Sequence, residues 1–278
     1  MIRSENNQSV LPQITRYWDQ RAQGYALQVD DEFKESLQDV YLPWFESVVS
    51  EGSVLDVGCG PGFFSVLLAK AGFAVTAFDA SAEMLKKALS SDVQDTFNMV
   101  SVDGDTSTND MVAILANGLA GNAEITAPGA DFTAFCRALN SVTVWLCRQI
   151  AGDGEGATRL LECCVTGAAD HGTAKTVAKS IICSSLVKAA MFGADANWGR
   201  VLCAIGYSGA PVDVHKVDVA FRSAAGTVRV CVDGAGIPFS EEEAKQVLLE
   251  KEIEILVDLR SGDEGATAWG CDLTYDYV

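Results

Sequence analysis

The sequence has few of the features that mark membrane, secreted or nucleic-acid-binding proteins. No apolar run approaches the ~20 residues of a membrane-spanning helix, and the start, MIRSENNQSV, is too polar for a secretory signal. Bases are few, with 20 Lys and Arg against 38 Asp and Glu, so the net charge is −18. That charge disfavours contact with phosphate backbones. We therefore expect a cytoplasmic protein with no nucleic-acid and no membrane partner.

Metal-binding patterns are also missing. The two histidines, His171 and His215, are not clustered with cysteines, and none of the nine cysteines forms a C-x-x-C pair. Zinc sites need clustered thiolate and imidazole ligands, so we predict no metal site. The odd cysteine count predicts reduced thiols, most of them packed as small buried hydrophobes.

What the chain does have is enough apolar sequence for a core and a clear α/β pattern. The length of 278 residues suits one large or two small domains, and an apolar fraction of 49% is enough for a core. We predict two parts: a partial Rossmann-like βαβ segment over residues 1–80, followed by a layered α/β domain over residues 81–278.

The first part contains a glycine-rich turn between two short strands. In SVLDVGCGPGFFSVLLAKAGFAVTAFDAS, a strand over 54–57 leads to Gly58, Gly60 and Gly62, then to a helix over 63–71. A second strand over 74–78 ends in Asp79. Glycines allow a close backbone approach to a ligand, and a distal acid can accept hydrogen bonds from ribose hydroxyls. A turn that merely connects strand and helix is the alternative.

This turn resembles the first motif of class I S-adenosylmethionine-dependent methyltransferases, and the resemblance to that family covers residues 10–89. The resemblance implies that Asp56, Gly58, Gly60 and Gly62 line the methionine side of S-adenosylmethionine and that Asp79 holds the ribose. The later strands that complete such a fold are not found beyond Asp79. We therefore expect S-adenosylmethionine to bind weakly, if at all.

The second part begins with a strongly periodic helix. Phe132, Phe135, Leu139, Val142, Leu146 and Ile150 recur at spacings of three and four and predict one buried stripe. Glycines at 152, 154 and 156 end the helix, and residues 160–165 read as a buried strand. Glu155 therefore sits in a glycine-rich turn, where a carboxylate either binds an ammonium group or is simply solvated.

Four blocks of the second part resemble ornithine acetyltransferase, the bifunctional glutamate N-acetyltransferase of arginine biosynthesis. They are VSVDGDTSTND, RQIAGDGEGATRLLE, SSLVKAAMFGADANWGRVLCAIGYSG and GDEGATAWGCDLTYDYV. The resemblance implies the β-chain part of an enzyme that moves acetyl from N-acetylornithine to glutamate through a threonine nucleophile, without a cofactor. It implies amino-acid substrates, an α-chain partner and a substrate contact for Glu155. Arg159 stands where that family usually has Lys.

The family's A-T-M-L stretch, which carries the nucleophile, is missing here. The matching stretch reads LLAKAGFAVTAFDA, and its one threonine is Thr76. The sequence thus predicts a chimera of two partial families, joined near residues 81–89, that self-associates through exposed strand edges. Three functions stay open: an acetyltransferase β chain inactive on its own, a small-molecule methyltransferase, and a non-catalytic fusion product.

Overall fold

The computed structural model describes residues 53–57, 74–78, 82–105, 112–114 and 123–277, the first two ranges as backbone only. These residues belong to two compact units. The first unit comprises the described residues up to Leu89 and those from 112 to Leu139. The second unit comprises the residues from Ser90 to 105 and from Asn140 to 277.

The first unit contains the two strands that the sequence predicts near its start. β1 (Ser53–Val57) and β2 (Ala74–Phe78) pair in parallel, with Asp56 opposite Ala77. The predicted glycine turn with Gly58, Gly60 and Gly62 lies outside the described residues, as do Asp79 and the side chain of Asp56. The strand pair agrees with the sequence, but the Rossmann-like segment as a whole is not supported.

Two long helices supply most of the apolar cluster of the first unit. α1 spans Ala82–Asp95 and α2 spans Ala130–Gly152. The buried residues of this cluster are Met84, Ala88, Ile125, Phe135 and Leu139. Residues 83–89 of α1 and the start of α2 thus bury one small set of apolar side chains, as an amphipathic pattern predicts.

The predicted apolar stripe of α2 is correct in its first half and wrong in its second. Phe135 and Leu139 are buried, whereas Val142, Leu146 and Ile150 are exposed. The buried row continues instead through small side chains at the same spacing of four: Thr143, Cys147 and Ala151. Small residues allow a helix to lie close to its neighbours, and this packing outweighs the larger apolar area of the adjacent row.

The second unit is built around a seven-stranded mixed sheet with strand order β3-β9-β4-β8-β5-β6-β7. The strands are β3 (Val100–Ser101), β4 (Leu160–Ala168), β5 (Asp218–Ser223), β6 (Gly226–Val232), β7 (Ala235–Gly236), β8 (Glu252–Asp258) and β9 (Glu264–Cys271). β3 runs parallel to β9 and β4 parallel to β8, while the other neighbours are antiparallel. The strand predicted at 160–165 is therefore confirmed and extends to Ala168.

Four helices accompany this sheet: α3 (His171–Ile182), α4 (Ser185–Phe192), α5 (Trp198–Gly206) and α6 (Glu241–Leu248). Two short 3₁₀ helices span Phe97–Met99 and Val214–Lys216. Helix α3 packs on β4 and β9, and α6 packs on β5 and β6. Alternate strand residues are fully buried, such as Leu161, Ile255 and Phe221. This period of two is that of a sheet with one face in the core.

Side-chain caps fix where the four helices begin. Asp170 accepts a hydrogen bond from the Thr173 amide (2.7 Å) at the start of α3. Ser184, Asn197 and Ser240 occupy the same position before α4, α5 and α6. Each cap satisfies an amide that the helix itself leaves free. The sequence thereby sets the short connections that hold α3 and α4 beside the sheet.

Candidate functional site

Three chain segments emerge at the same end of the sheet in the second unit. β3 and β9 run in parallel and end at Ser101 and Cys271, while β4 runs antiparallel to β9 and begins at Leu160. The loop of residues 102–105, the turn of residues 152–158 and the C-terminal segment of residues 272–277 therefore lie close together. We call them the 102–105 loop, the glycine turn and the C-terminal segment.

The glycine turn presents Glu155 to solvent between two tightly packed glycines. A Cβ built on Gly154 would lie only 2.9 Å from Val102 Cγ1, so this position packs against the 102–105 loop. Gly156 has φ +67°, and a Cβ there would lie 2.7 Å from the backbone of Asp276 and Tyr277. Glycine is required at Gly156 for both conformation and space. Glu155 is exposed beside these contacts.

Hydrogen bonds join the 102–105 loop to the C-terminal segment. The Tyr277 hydroxyl donates to Asp103 Oδ2 (3.1 Å), and the Asp105 amide donates to Asp103 Oδ1 (2.8 Å). The bond to Asp103 raises the pKa of the Tyr277 phenol, and the charges of Glu155 and Asp105 raise it further. The Asp105 amide and the Tyr277 hydroxyl lower the pKa of Asp103. The three carboxylates therefore act on one phenol and form an anionic rim.

A buried carboxylate anchors the base of the site. Asp272, whose side chain is fully buried, accepts hydrogen bonds from the Thr158 amide (2.8 Å) and the Arg159 amide (3.0 Å). The Thr158 hydroxyl also donates to Asp272, and Arg159 Nη1 lies 3.4 Å from its Oδ2. Arg159 further donates to the carbonyls of Met191 (3.1 Å) and Phe192 (2.9 Å). The guanidinium thus ties the start of β4 to the end of α4.

The C-terminal segment adds a second tie to the glycine turn. Thr274 Oγ1 donates to the Gly156 carbonyl (2.6 Å), and the Asp276 amide donates back to Thr274 Oγ1 (3.1 Å). Tyr275 packs edge-on against Phe192, with ring centroids 5.5 Å apart. The segment is therefore held at several points, and its last described residue, Tyr277, is fixed over the 102–105 loop.

Of the predicted site residues, only Glu155 has a described side chain. Gly58, Gly60, Gly62, Asp79 and the side chain of Asp56 lie outside the described residues, so a role for them in binding S-adenosylmethionine stays a prediction. Sequence reasoning did not identify the roles of Asp103, Tyr277 or Asp272. The GDEGATAWGCDLTYDYV block contains two of them, but nothing in its spacing indicates which residues it contacts.

The described residues contain neither a metal centre nor a membrane-spanning helix. Among residues 53–57, 74–78, 82–105, 112–114 and 123–277, no group of His, Cys, Asp and Glu is arranged to hold a metal ion. No helix in the described part of the chain is both long and apolar enough to cross a bilayer.

Comparison with known proteins identifies the family of the chain. The model of the ArgJ family matches residues 56–278. The chain belongs to the ArgJ family. The arginine biosynthesis bifunctional protein ArgJ 1 of Clostridium acetobutylicum is 51% identical over 206 residues, which is 74% of this chain and 50% of that protein. The ArgJ of Thermotoga neapolitana is 47% identical over 229 residues, 82% of this chain and 58% of its own length.

A solved ArgJ structure shares the fold of most of this chain. The crystal structure of the arginine biosynthesis bifunctional protein ArgJ from Bacillus halodurans superposes with a TM-score of 0.68 at 48% identity. The match covers 72% of this chain and 92% of that one. The expected ornithine-acetyltransferase-like α/β fold is thereby confirmed, and the chain spans about half the length of the curated ArgJ proteins that it matches.

The same comparisons give no support to a methyltransferase segment or to a chimera. The ArgJ family model begins at residue 56, inside the stretch whose turn resembles a methyltransferase motif, and it includes Gly58, Gly60, Gly62 and Asp79. The predicted boundary between residues 80 and 81 is not tested by these matches. It stays a prediction.

Proposed function

We propose that this chain supplies the amino-acid-binding part of an ArgJ acetyltransferase, which moves an acetyl group from N-acetylornithine to glutamate. The observation that carries the proposal is the anionic rim formed by Glu155, Asp103 and Asp105 at the meeting point of three segments. A rim of this charge attracts an ammonium group. N-acetylornithine carries a free side-chain ammonium, and the proposed reaction needs no cofactor.

Within this site we assign the ammonium contact to Glu155. Its carboxylate is exposed and free to approach a ligand, whereas Asp103 is already engaged by Tyr277 and the Asp105 amide. The close packing at Gly154 and Gly156 fixes the turn on both sides of Glu155. A fixed turn loses little entropy when the ligand binds.

We further propose that the chain does not transfer acetyl groups by itself. Acyl transfer through a covalent intermediate needs a nucleophile with a base beside it and donors for the oxyanion. Thr76 lies inside β2, paired with Leu55, so its amine is part of a peptide bond and cannot act as that base. A second polypeptide that corresponds to the unmatched half of the curated ArgJ proteins would supply the remaining groups.

Ligand titration tests the binding proposal. We expect N-acetylornithine to shift the amide resonances of the glycine turn, and Glu155→Gln to weaken binding about tenfold, the effect of losing one charge-assisted contact. Glu250→Gln, at another exposed carboxylate, is the matched control and should bind normally. Equal affinity of the Glu155→Gln variant and the unmodified protein would refute the assignment of Glu155.

Mass spectrometry tests the proposed inactivity. The intact protein, incubated with N-acetylornithine, should gain no acetyl group, and glutamate should release no ornithine above a protein-free blank. A stoichiometric acetyl adduct would show that the chain contains a nucleophile after all.

A further inference from the structure

Lysines from two helices hold the backbone that leads into the 102–105 loop. In α3, Lys175 donates to the Gln94 carbonyl (2.5 Å), and Lys179 donates to the carbonyls of Asn98 (2.9 Å) and Val100 (2.6 Å). In α4, Lys188 donates to the Val102 carbonyl. The three ammonium groups thus follow residues 94–102 in chain order and end at the residue before Asp103.

Lys188 differs from the other two lysines in its surroundings. Lys188 is only 3% exposed, and its ammonium also lies 3.8 Å from the buried thiol of Cys271. The Lys188 charge also acts on the Asp103 carboxylate and lowers its pKa. Burying an ammonium is costly unless hydrogen bonds compensate it. The carbonyl of Val102 is therefore the main acceptor that compensates this ammonium.

Lys188 is also connected to the other two segments of the site. Its own carbonyl accepts a hydrogen bond from the Leu273 amide (3.3 Å), at the start of the C-terminal segment. Its ammonium holds Val102, whose side chain packs against the glycine turn at Gly154. One residue thus contacts the loop and the C-terminal segment directly and reaches the turn through Val102.

We propose that Lys188 is a positioning residue, which holds the 102–105 loop where Asp103 meets Tyr277 and forms the anionic rim with Glu155. The proposal rests on the proposed function, because it takes that rim as the amino-acid site. Without the ammonium, the Val102 carbonyl keeps only the Cys271 thiol as a donor, at 3.8 Å, and the loop is free to move away from α4. Asp103 would then lose the Tyr277 hydroxyl, which comes from a different segment.

The ionisation of Tyr277 reports this arrangement without any ligand. In the unmodified protein, the hydrogen bond to Asp103 raises the phenol pKa above its ordinary value. In Lys188→Met, we expect that pKa to fall toward its ordinary value of ~10. Fluorotyrosine labelling with ¹⁹F NMR across a pH titration measures it, and Tyr277→Phe identifies the signal.

Lys179→Met is the matched control. Lys179 holds the same segment, but at Asn98 and Val100, further from Asp103. We expect it to lower stability without shifting the Tyr277 titration. Lys188→Met should also weaken N-acetylornithine binding about tenfold, whereas Lys179→Met should not.

The outcomes separate the two proposals. A normal Tyr277 titration in folded Lys188→Met would overturn the positioning role. If Lys188→Met does not fold, Lys188→Gln takes its place. Its shorter neutral side chain should also lower the Tyr277 pKa, and an unchanged Tyr277 pKa in this variant would overturn the positioning role. If Lys188→Met lowers the Tyr277 pKa but even the unmodified protein binds no N-acetylornithine, the positioning role is supported and the proposed function is refuted.

Discussion

Replacing Asp272 with alanine should destabilise the second unit more than any nearby surface change. The substitution removes the acceptor of two backbone amides, a hydroxyl and the Arg159 guanidinium. Each buried amide left without a partner costs about 1–3 kcal/mol. Removing one member of a buried ion pair costs about 3–5 kcal/mol as a whole. Since these figures describe overlapping losses, we expect a total of about 3–5 kcal/mol.

The assay is thermal or chemical unfolding followed by circular dichroism. For a protein of this size, a loss of 3–5 kcal/mol lowers Tm by about 10 °C. Asp276→Ala is the matched control, because Asp276 is exposed in the same C-terminal segment and surface changes of this kind stay within about 0.5 kcal/mol. Asp272→Asn should fall between them, since an amide oxygen can still accept from the two backbone amides.

An anchoring role for Asp272 is excluded if Asp272→Ala and Asp276→Ala unfold within about 1 kcal/mol of each other, the size of an ordinary single substitution. That result would mean that the carboxylate is not the acceptor for Thr158 and Arg159 in solution. A large loss in both variants would point instead to the C-terminal segment as a whole.

Three further predictions concern the second unit. His171 has an acceptor at each ring nitrogen, the Asp95 carboxylate and the Gly265 carbonyl (both 2.9 Å), and Asp95 above all raises its pKa. The His171 imidazolium should make its full contribution to the free energy of unfolding below pH ~6.5, the pKa of histidine in the unfolded chain. This contribution should be lost as the pH rises through the higher pKa that His171 has in the folded protein. In denaturant unfolding, His171→Gln should therefore lose more free energy of unfolding at pH 6 than at pH 8.5. Equal losses at the two pH values would contradict a charged His171 in the folded protein. Iodoacetamide at pH 8 should alkylate the exposed Cys203 and spare Cys147, whose thiol pKa burial raises to about 12; peptide mapping that finds Cys147 labelled in folded protein would be inconsistent with its burial. Gly156→Ala should cost about 1–3 kcal/mol and shift the Tyr277 resonance, because its Cβ meets the C-terminal backbone; an unchanged spectrum and melting curve would argue against the left-handed turn.

Local sequence signals predict the elements of the second part well. The helix predicted from the spacing of Phe132 to Ile150 is present as α2, and the strand from Leu160 is β4. What the pattern does not reveal is the exact buried face of α2. Periodicity ranks residues by apolar size, so it favours Val142 over Thr143, whereas close packing favours the smaller side chain.

The site is predictable only where one segment carries its own signal. The glycines at 152, 154 and 156 are enough to indicate the turn that contains Glu155. Arg159 lies 113 residues from its partner Asp272 along the chain, and Val102 lies 86 residues from Lys188. Such contacts depend on how the sheet brings its ends together. Single-sequence patterns contain no information on those pairings, so the base of the site could not be predicted.

Lys179 also protects one edge of the sheet from pairing with other molecules. In β3, the outermost strand on this side of the described sheet, the Ser101 carbonyl lies toward Gly270 of β9, so the Val100 carbonyl points away from β9. A carbonyl that is free on an edge strand can pair with a strand of another molecule. Here the Lys179 ammonium group occupies the Val100 carbonyl. We therefore expect that self-association through open strand edges does not use β3, and that neutralising Lys179 would expose this strand to aggregation.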